Sequence, residues 1–186
     1  MRLFTGLEPA PLVKARLAGA MAELRDTAQI NWAPPDNLHI TSKFIGEWPD
    51  DRLAELESAL GGVAVRGPIA VTMVGFGFFP NPHQPHSFFA AVQENEGLME
   101  LAAAIDGALA PLGCPRESKP YRPHVTLARI KHRQEIRGLR ARVAAMSDHD
   151  FGSFAAASFH LYQSRPTDAG SVYTKLATYD LMRENN

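Results

Sequence analysis

Two short segments of the chain share one order of side chains: a histidine, an apolar residue and a threonine. They are His39-Ile40-Thr41 and His124-Val125-Thr126. An imidazole with a reference pKa of about 6.5 exchanges a proton near neutral pH, and a threonine hydroxyl can donate a hydrogen bond to a phosphate oxygen. Two imidazoles and two hydroxyls are the groups needed to handle a phosphate.

Both segments are predicted to be β-strands. They lie in runs rich in apolar and β-branched residues, 38–45 and 125–130, and prolines precede each run. On a strand, residues i and i+2 share a face and lie about 7 Å apart. Each histidine therefore shares a face with its threonine, and burial of the apolar face would leave the polar face to line an open site.

A residue with a flat side chain follows five positions after each histidine. These residues are Phe44 and Arg129, and an aromatic ring and a guanidinium plane both stack well on a nucleobase. We expect them to close on one base from opposite sides of a cleft. Strict alternation puts both on the face opposite their histidine, so each strand would need a bulge or a twist. The alternative places Phe44 in the core and Arg129 on the surface.

The elements around these strands predict an α+β fold with mostly antiparallel pairing. Helices are indicated after Pro9, with apolar residues at helical spacing from Leu12 to Leu24, and over residues 51–60, 98–112 and 135–146. Further strands are indicated over residues 2–7, 69–79, 87–92, 153–162 and 171–181. The similar order of elements predicts two pseudo-symmetric lobes that face each other across a cleft. The pairs Phe78-Phe79 and Phe88-Phe89 are interpreted as core and edge residues.

The composition is typical of one compact domain. Of 186 residues, 45% are hydrophobic and 21% are charged, which is enough apolar material for a core. The net charge of −1 disfavours long duplex nucleic acid, which is held by many phosphate contacts, but it permits a small or terminal nucleic-acid ligand. The single cysteine, Cys114, excludes an intramolecular disulfide. The sequence shows neither a signal-peptide layout nor an apolar run of about 18 residues, so we expect a cytoplasmic protein with no membrane partner.

The two segments resemble the two signature motifs of the 2H phosphoesterase superfamily, in particular of the RNA 2′,3′-cyclic phosphodiesterases, also called 2′-5′ RNA ligases. The likeness runs from end to end and includes residues 2–7, 32–46, 76–80, 122–129 and 164–176. It implies a bilobal, pseudo-two-fold α+β fold, in which two antiparallel sheets face a central cleft and the helices lie outside. It also implies a single domain over residues 1–186.

The resemblance further implies an activity and a role for each residue. The reaction is hydrolysis of RNA 2′,3′-cyclic phosphate ends to 2′-phosphomonoesters, and its reverse is 2′-5′ ligation. His39 would donate a proton and His124 would accept one, while Thr41 and Thr126 would donate hydrogen bonds to the phosphate. No cofactor is needed, and we expect a monomer because two lobes already complete the site. The residues alone leave open which histidine is the acid.

Other functions remain open on the residues alone. The same motifs would serve a phosphodiesterase for another small cyclic nucleotide-type phosphate, and a non-catalytic nucleotide- or RNA-binding module could keep the fold. A metal-dependent phosphodiesterase would need a set of ligands. His83 and His86 are spaced as half of a metal site but lack a partnering cysteine or acidic pair. The interpretation therefore includes no metal.

Overall fold

The computed structural model describes residues 1–146, 148–168 and 170–183. Its helices are α1 (Pro11–Leu24), α2 (Leu53–Gly61), α3 (Glu96–Leu109) and α4 (Arg137–Ala144). Its strands are β1 (Arg2–Leu7), β2 (Asn31–Trp32), β3 (Ile40–Glu47), β4 (Arg66–Gly67), β5 (Ile69–Phe79), β6 (Ser87–Val92), β7 (His124–Arg129), β8 (Asp150–Ala156), β9 (Ser158–Thr167), β10 (Gly170–Asp180) and β11 (Met182–Arg183). The fold is α+β, as predicted.

Within the described residues, nine strands form one curled, antiparallel sheet. Its order is β10-β9-β1-β3-β7-β6-β5-β8, and β2 pairs with β7. β3 and β7 meet at a single register pair, Ile40 with Val125. The sheet therefore consists of a first half, β10-β9-β1-β3, and a second half, β7-β6-β5-β8. The two predicted sheets correspond to these halves, which meet at the two motif strands.

The helices bury apolar stripes against the sheet and against each other. α1 contacts β8, α3 contacts β3 and β5, and α2 packs on α3. The predicted apolar face of α1 is correct from Leu17 to Leu24 but wrong at its start, because Leu12 is 64% exposed and Val13 is 2% exposed. Pro11 begins the helix, and Val13 lies four residues before Leu17 on the same face. Among the helices of the described residues, none has the length and apolar character needed to cross a membrane.

The region predicted as one strand over residues 153–162 is two strands that belong to different halves. β8 ends at Ala156 and pairs with β5, whereas β9 begins at Ser158 and pairs with β1. The chain thus crosses between the halves at Ala157, an exposed residue. The sequence contains no glycine or proline there, so local pattern gives no sign of the crossing. As a result, β9 and β10 complete the first half, beside β1 and β3.

Candidate active site

The structure brings the four predicted His and Thr residues together. The pair between Ile40 and Val125 is antiparallel, and both of these side chains are fully buried in the core. Their neighbours therefore point to the opposite face. His39, Thr41, His124 and Thr126 all line one cavity of about 1490 Å³. The side of the sheet that carries the two motifs is thus the floor of this cleft.

A bulge in β3 carries Phe44 to the cleft. In the register of β3 on β1, Ser42 is an extra residue between the partners of Thr5 and Gly6. Ser42 and Lys43 are consequently both buried, and Phe44 is 59% exposed. The bulge predicted from alternation is therefore present, and the alternative that placed Phe44 in the core is wrong. The Phe44 side chain lines the cleft.

A matching bulge in β7 carries Arg129 to the cleft. In the register of β7 on β6, Leu127 is the extra residue. Leu127 and Ala128 are both fully buried, whereas Arg129 is exposed and lines the cleft. Each motif strand therefore has the same sequence of positions: histidine, buried residue, threonine, two buried residues, and a flat side chain on the cleft. A bulge adds one residue to one strand and shifts the alternation beyond it.

His39 is held by two hydrogen bonds and two rings. Its Nδ1 lies 2.6 Å from the carbonyl oxygen of Asn37, and its Nε2 lies 2.9 Å from Oγ1 of Thr41. A carbonyl only accepts, so Nδ1 carries the proton, and Nε2 of the neutral ring accepts from the Thr41 hydroxyl. The ring centroid lies 4.6 Å from that of Phe4 and 5.2 Å from that of Tyr173. These contacts fix the ring with Nε2 directed toward the threonine.

His124 is held in the same way from the second half. Its Nδ1 lies 2.7 Å from the carbonyl oxygen of Arg122, so this ring also carries its proton on Nδ1 and has Nε2 available for proton transfer. Its centroid lies 4.8 Å from that of Phe79 and 5.2 Å from that of Phe89. The interpretation of the aromatic pairs as core and edge residues is correct for the fully buried Phe88. Phe79 and Phe89 instead support the second histidine.

Burial lowers the pKa of both imidazoles. The pKa of His39 falls to about 4, mainly because burial disfavours its charged form, and positive charge on His124 and Arg129 lowers it further. The pKa of His124 is lowered by burial and by Arg129. In each case the hydrogen bond to the backbone carbonyl raises the pKa, but burial outweighs it. Both rings of the free protein are therefore neutral at pH 7, and a bound anion would raise both pKa values.

A buried ion pair holds the loop before β7 on β3. Lys43 is 2% exposed, and its Nζ lies 2.6 Å from Oδ1 of Asp106 and donates to the carbonyl oxygen of Pro115 at 2.9 Å. The backbone N–H of Glu117 donates to the same Asp106 oxygen at 3.1 Å. Burial raises the pKa of Asp106, but the bonds from Lys43 and from the Glu117 N–H outweigh it and the pKa is lowered.

The same loop links the two motifs. The Tyr121 hydroxyl donates to the carbonyl oxygen of Thr41 at 2.9 Å, and burial raises the pKa of that hydroxyl. One residue later, Arg122 supplies the carbonyl that orients His124. The loop thus ties the threonine of the first motif to the orientation of the second histidine. Sequence reasoning missed Lys43 and Tyr121, because their contacts depend on the bulge and on a loop far away in the chain.

Gly6 allows β1 to approach His39 closely. A Cβ atom at this position would lie 2.7 Å from the carbonyl oxygen of Ile40 and 3.3 Å from Cδ2 of His39. No larger residue fits without moving β3 or the imidazole. A glycine within a strand is the available signal, since it marks a close approach of another group. Phe4, which lies two residues before Gly6 and packs on His39, gave no such signal.

The cleft is more basic than the chain as a whole. Among the described residues, its charged lining contains one acid, Asp168, and the bases Arg2, Lys119, Arg129 and Lys131. The chain as a whole has a net charge of −1. Clefts lined by one sign of charge raise the local concentration of the opposite ion. This cleft therefore favours an anionic ligand.

The His83 and His86 pair lies in the turn between β5 and β6. Both side chains are exposed, and His86 reaches the edge of the cleft. In the described part of the chain, no group of three or more His, Cys, Asp or Glu side chains is placed to hold a metal ion.

Comparisons with known proteins identify the family. A sequence profile of the 2′-5′ RNA ligase superfamily matches residues 13–167. The RNA 2′,3′-cyclic phosphodiesterase of Archaeoglobus fulgidus is 30% identical over 181 residues, covering 97% of this chain and all of that protein. The enzyme of the same name from Methanocaldococcus jannaschii is 31% identical over 173 residues, covering 93% of this chain and 96% of that protein.

The fold is also shared with a solved structure. The crystal structure of TT0787 of Thermus thermophilus superposes with a TM-score of 0.81 at 30% identity, with both chains fully covered. The resemblance and the bilobal fold expected from the two motifs are therefore confirmed. The chain belongs to the 2′-5′ RNA ligase superfamily of 2H phosphoesterases.

Proposed function

We propose that the protein is an RNA 2′,3′-cyclic phosphodiesterase that opens the terminal cyclic phosphate of RNA with water and leaves a 2′-phosphomonoester. One observation carries this proposal: two His-x-Thr segments, one from each half of the sheet, meet in the floor of one basic cleft. The shared name of the relatives from Archaeoglobus fulgidus and Methanocaldococcus jannaschii supports the same substrate.

The two threonines bind the phosphate. Thr41 and Thr126 lie on the cleft face beside the histidines, so each hydroxyl can donate to a non-bridging oxygen. In the free protein the Thr41 hydroxyl is engaged with Nε2 of His39, and a phosphate would compete for it. Donors that are already oriented stabilise the charge of the transition state without reorganisation. The bases that line the cleft attract the same anion.

The two histidines move the protons. His124 accepts a proton from water as the water oxygen bonds to phosphorus, and His39 donates a proton to the departing O3′ as the P–O3′ bond breaks. Each Nδ1–H stays on its carbonyl, which stabilises the ring when Nε2 is protonated. The bound phosphate must first raise the low pKa of His39. The assignment of donor and acceptor follows the family resemblance, while the pseudo-symmetric geometry serves either direction.

The flat side chains and a second nucleophile complete the proposal. Phe44 and Arg129 face the cleft and bind nucleoside. The same proton transfers operate in the same direction when a 5′-hydroxyl replaces water: O5′ bonds to phosphorus, the P–O3′ bond breaks, and the product is a 2′-5′ linkage. Two imidazoles supply both proton transfers, so the mechanism requires no metal ion. We expect a monomer to be active, since one chain supplies both motifs.

The testing experiment compares two substrates with and without a chelator. We expect 2′,3′-cyclic AMP and a short RNA with a terminal 2′,3′-cyclic phosphate both to be opened to 2′-phosphates, at rates unchanged by exhaustive chelation. If the protein opens neither substrate, the proposal is contradicted. Opening of the mononucleotide alone would indicate another small cyclic phosphate as the substrate. Loss of activity on chelation, restored by a divalent ion, would overturn the two-histidine mechanism.

A further inference from the structure

The segments that follow the two motif strands carry opposite charge. The first, residues 44–57, leads from β3 into α2 and contains five acids and one base. The second, residues 129–142, leads from β7 into α4 and contains six bases and one acid. They hold equivalent places in the fold, since each begins at its flat side chain, Phe44 or Arg129. We call them the negative segment and the positive segment.

The negative segment is exposed and only partly neutralised. Its exposed acids are Glu47, Asp50, Asp51 and Glu55. The amino group of Met1 lies 2.9 Å from Oδ1 of Asp50, and Nε of Arg52 donates to Glu55 at 2.8 Å. Two cations thus stand against five acids, so this side of the molecule repels a chain of phosphates.

The positive segment is also exposed. Its exposed bases are Arg129, Lys131, Arg133, Arg137 and Arg142, and Arg140 is half-buried. Its single acid, Glu135, accepts from the backbone N–H of Arg137 at 2.6 Å. The short helical turn at residues 25–27, which contacts α4, adds one base and one acid and leaves the balance unchanged. Two further acids, Asp148 and Asp150, lie beyond the C-terminal end of α4. The excess of cations is therefore greatest between the cleft and α4.

The positive segment is continuous with the cleft. Lys131 lines the cleft. Nη2 of Arg140 donates to the carbonyl oxygen of His83 at 3.1 Å, so one side of α4 borders the turn between β5 and β6. The last residue of this turn, His86, lines the cleft. Arg137 lies three residues before Arg140 and shares that side of the helix. Cationic side chains therefore lead from the edge of the cleft onto α4.

Hydrogen bonds hold the start of the positive segment in place. Oε1 of Gln134 accepts from the backbone N–H of Lys131 at 2.7 Å, and its Nε2 donates to the carbonyl oxygen of Gln29 at 2.9 Å. Gln29 lies two residues before β2, which pairs with β7 and lines the cleft. The backbone that carries these cations is thus ordered before a ligand arrives, which lowers the entropic cost of binding.

We propose that the positive segment binds the RNA chain upstream of the cyclic phosphate, so that the RNA leaves the cleft over the second half of the sheet. This proposal rests on the proposed function and adds the part of the substrate that lies outside the cleft. A terminal 2′,3′-cyclic phosphate belongs to a chain that continues only in the 5′ direction, so the RNA needs one exit. Each upstream nucleotide adds one negative phosphate, which the cations attract and the negative segment repels. Contacts to phosphates carry no sequence information, so any RNA sequence should gain affinity.

Calorimetry with two product ligands tests the proposal. Adenosine 2′-monophosphate reaches the cleft alone, whereas an oligoadenylate of about ten nucleotides that ends in a 2′-phosphate adds an upstream chain of a length usual for single-stranded sites. The test variant combines Arg133→Gln and Arg137→Gln, two exposed residues that do not line the cleft. A matched control, Arg66→Gln with Arg165→Gln, removes the same charge from exposed positions elsewhere. Circular dichroism confirms that every variant is folded.

The upstream chain predicts a loss that the monophosphate does not share. At about 50 mM salt the wild type should bind the oligoadenylate at least about tenfold more tightly than the monophosphate. The test variant should weaken oligoadenylate binding by about 5- to 30-fold, the effect of two lost exposed ion pairs. It should leave monophosphate binding within about twofold of wild type, and the matched control should leave both affinities within the same range.

The salt dependence separates phosphate contacts from a structural effect. Each phosphate contact of a single strand contributes about 0.7 to the slope of log association constant against log salt. The slope for the oligoadenylate should therefore become less steep by about 1.4 in the test variant, and the slope for the monophosphate should not change. An unchanged oligoadenylate slope would overturn the proposal.

A variant of the negative segment tests the direction of the exit. Glu47→Gln with Asp51→Asn should leave oligoadenylate binding within about twofold of wild type, because the chain leaves on the other side and salt screens distant charges. Tightening by more than about fivefold would place the RNA on the first half. That result, equal weakening by the test variant and the matched control, or an oligoadenylate bound no more tightly than the monophosphate would overturn the proposal.

Ring opening by the same samples reports on the proposed function separately. The test variant should open 2′,3′-cyclic AMP at the wild-type rate, because neither substituted residue lines the cleft. If the wild type does not open this substrate, the proposed function is wrong. If it opens the ring but the oligoadenylate binds the test variant and the wild type equally, the function stands and the exit over the second half is wrong.

Discussion

The two halves of the sheet repeat the groups on the cleft face and differ in the groups behind them. In β3 and β7 alike, a histidine is bound through Nδ1 to the carbonyl two residues earlier. A threonine then faces the cleft, two buried residues follow at a bulge, and a flat side chain returns to the cleft. Only the side of the strands that lines the cleft is repeated so closely.

Behind the cleft face the halves diverge. The second of the two buried bulge residues is Lys43 in an ion pair in the first half and the fully buried, apolar Ala128 in the second. The pKa of His39 is lowered to about 4, with charge on His124 contributing to the shift. Burial also lowers the pKa of His124, so a bound phosphate must raise the pKa of the proton donor. The repeated geometry thus positions two imidazoles whose surroundings differ.

The largest effect is expected from removing either repeated histidine. His39→Ala and His124→Ala should each reduce turnover of a 2′,3′-cyclic nucleotide by about 10² or more, the contribution of a general acid or base. Both rings lie on the cleft face, so the fold should survive, and circular dichroism checks this. Near-normal turnover by either folded variant would mean that the repeat is not an acid and base pair.

An effect on stability, not on turnover, is expected where the halves differ. Lys43→Met leaves Asp106 with only the more distant cation of Arg116, at 3.9 Å, and removes the hydrogen bond from Lys43 to the loop carbonyl of Pro115. Breaking a buried ion pair costs about 3–5 kcal/mol, so the free energy of unfolding in urea should fall by that amount. The matched substitution Ala128→Met tests added volume at the equivalent position without loss of an ion pair. A loss below about 1 kcal/mol for Lys43→Met would show that the pair does not hold the loop.

The threonines are expected to contribute less than the histidines and about equally to each other. Thr41→Val and Thr126→Val keep the shape and remove the hydroxyl. Each should weaken binding of phosphate or of the transition state by about 1–3 kcal/mol, the scale of a hydrogen bond to a charged group, as measured by inhibition and by kcat/KM. Unchanged values in both variants would assign the threonines to strand packing alone.

The smallest effect concerns stability in acid. The folded protein holds the pKa of His39 at about 4, below the ordinary value of about 6.5, so the unfolded chain binds more protons between these values. Stability is present above pH 6.5 and is lost as the pH falls. Between pH 7 and about pH 5.5 the wild type should lose about 1 kcal/mol relative to His39→Gln, by urea unfolding. An equal loss in both proteins would show that His39 is not buried in this way.

The sequence predicted the repeated part of the site because its signal is local. A His-x-Thr pattern on a strand needs only the alternation of side chains to place both groups on one face. If Phe44 and Arg129 are to face the cleft, the alternation of side chains requires a bulge or a twist in each strand. Which residue is the extra one in each bulge depends on the register with β1 and β6. The sharing of one base by Phe44 and Arg129 stays a prediction, since the relative position of the two motif strands is not visible in either motif.

The surroundings of the histidines were not predictable, because they come from distant elements. Phe4 and Tyr173 pack on His39 from β1 and β10. These two strands are far apart in the sequence, and both lie outside the motif strands. The crossing at Ala157 between β8 and β9 has no local signal, and it decides which half receives the last two strands of the main sheet. Local pattern therefore predicts the elements, while long-range register decides which of them meet.

The most direct test of an unequal histidine pair is the pH profile of kcat/KM for ring opening. The wild type should give a bell with its maximum below pH 6.5, since both pKa values are lowered in the free protein. His124→Ala should lose the acidic limb, because no base remains to be protonated, and His39→Ala should lose the alkaline limb. If His39→Ala instead lost the acidic limb and His124→Ala lost the alkaline limb, the roles of the two histidines would be reversed. A complete bell in either folded variant would contradict the account.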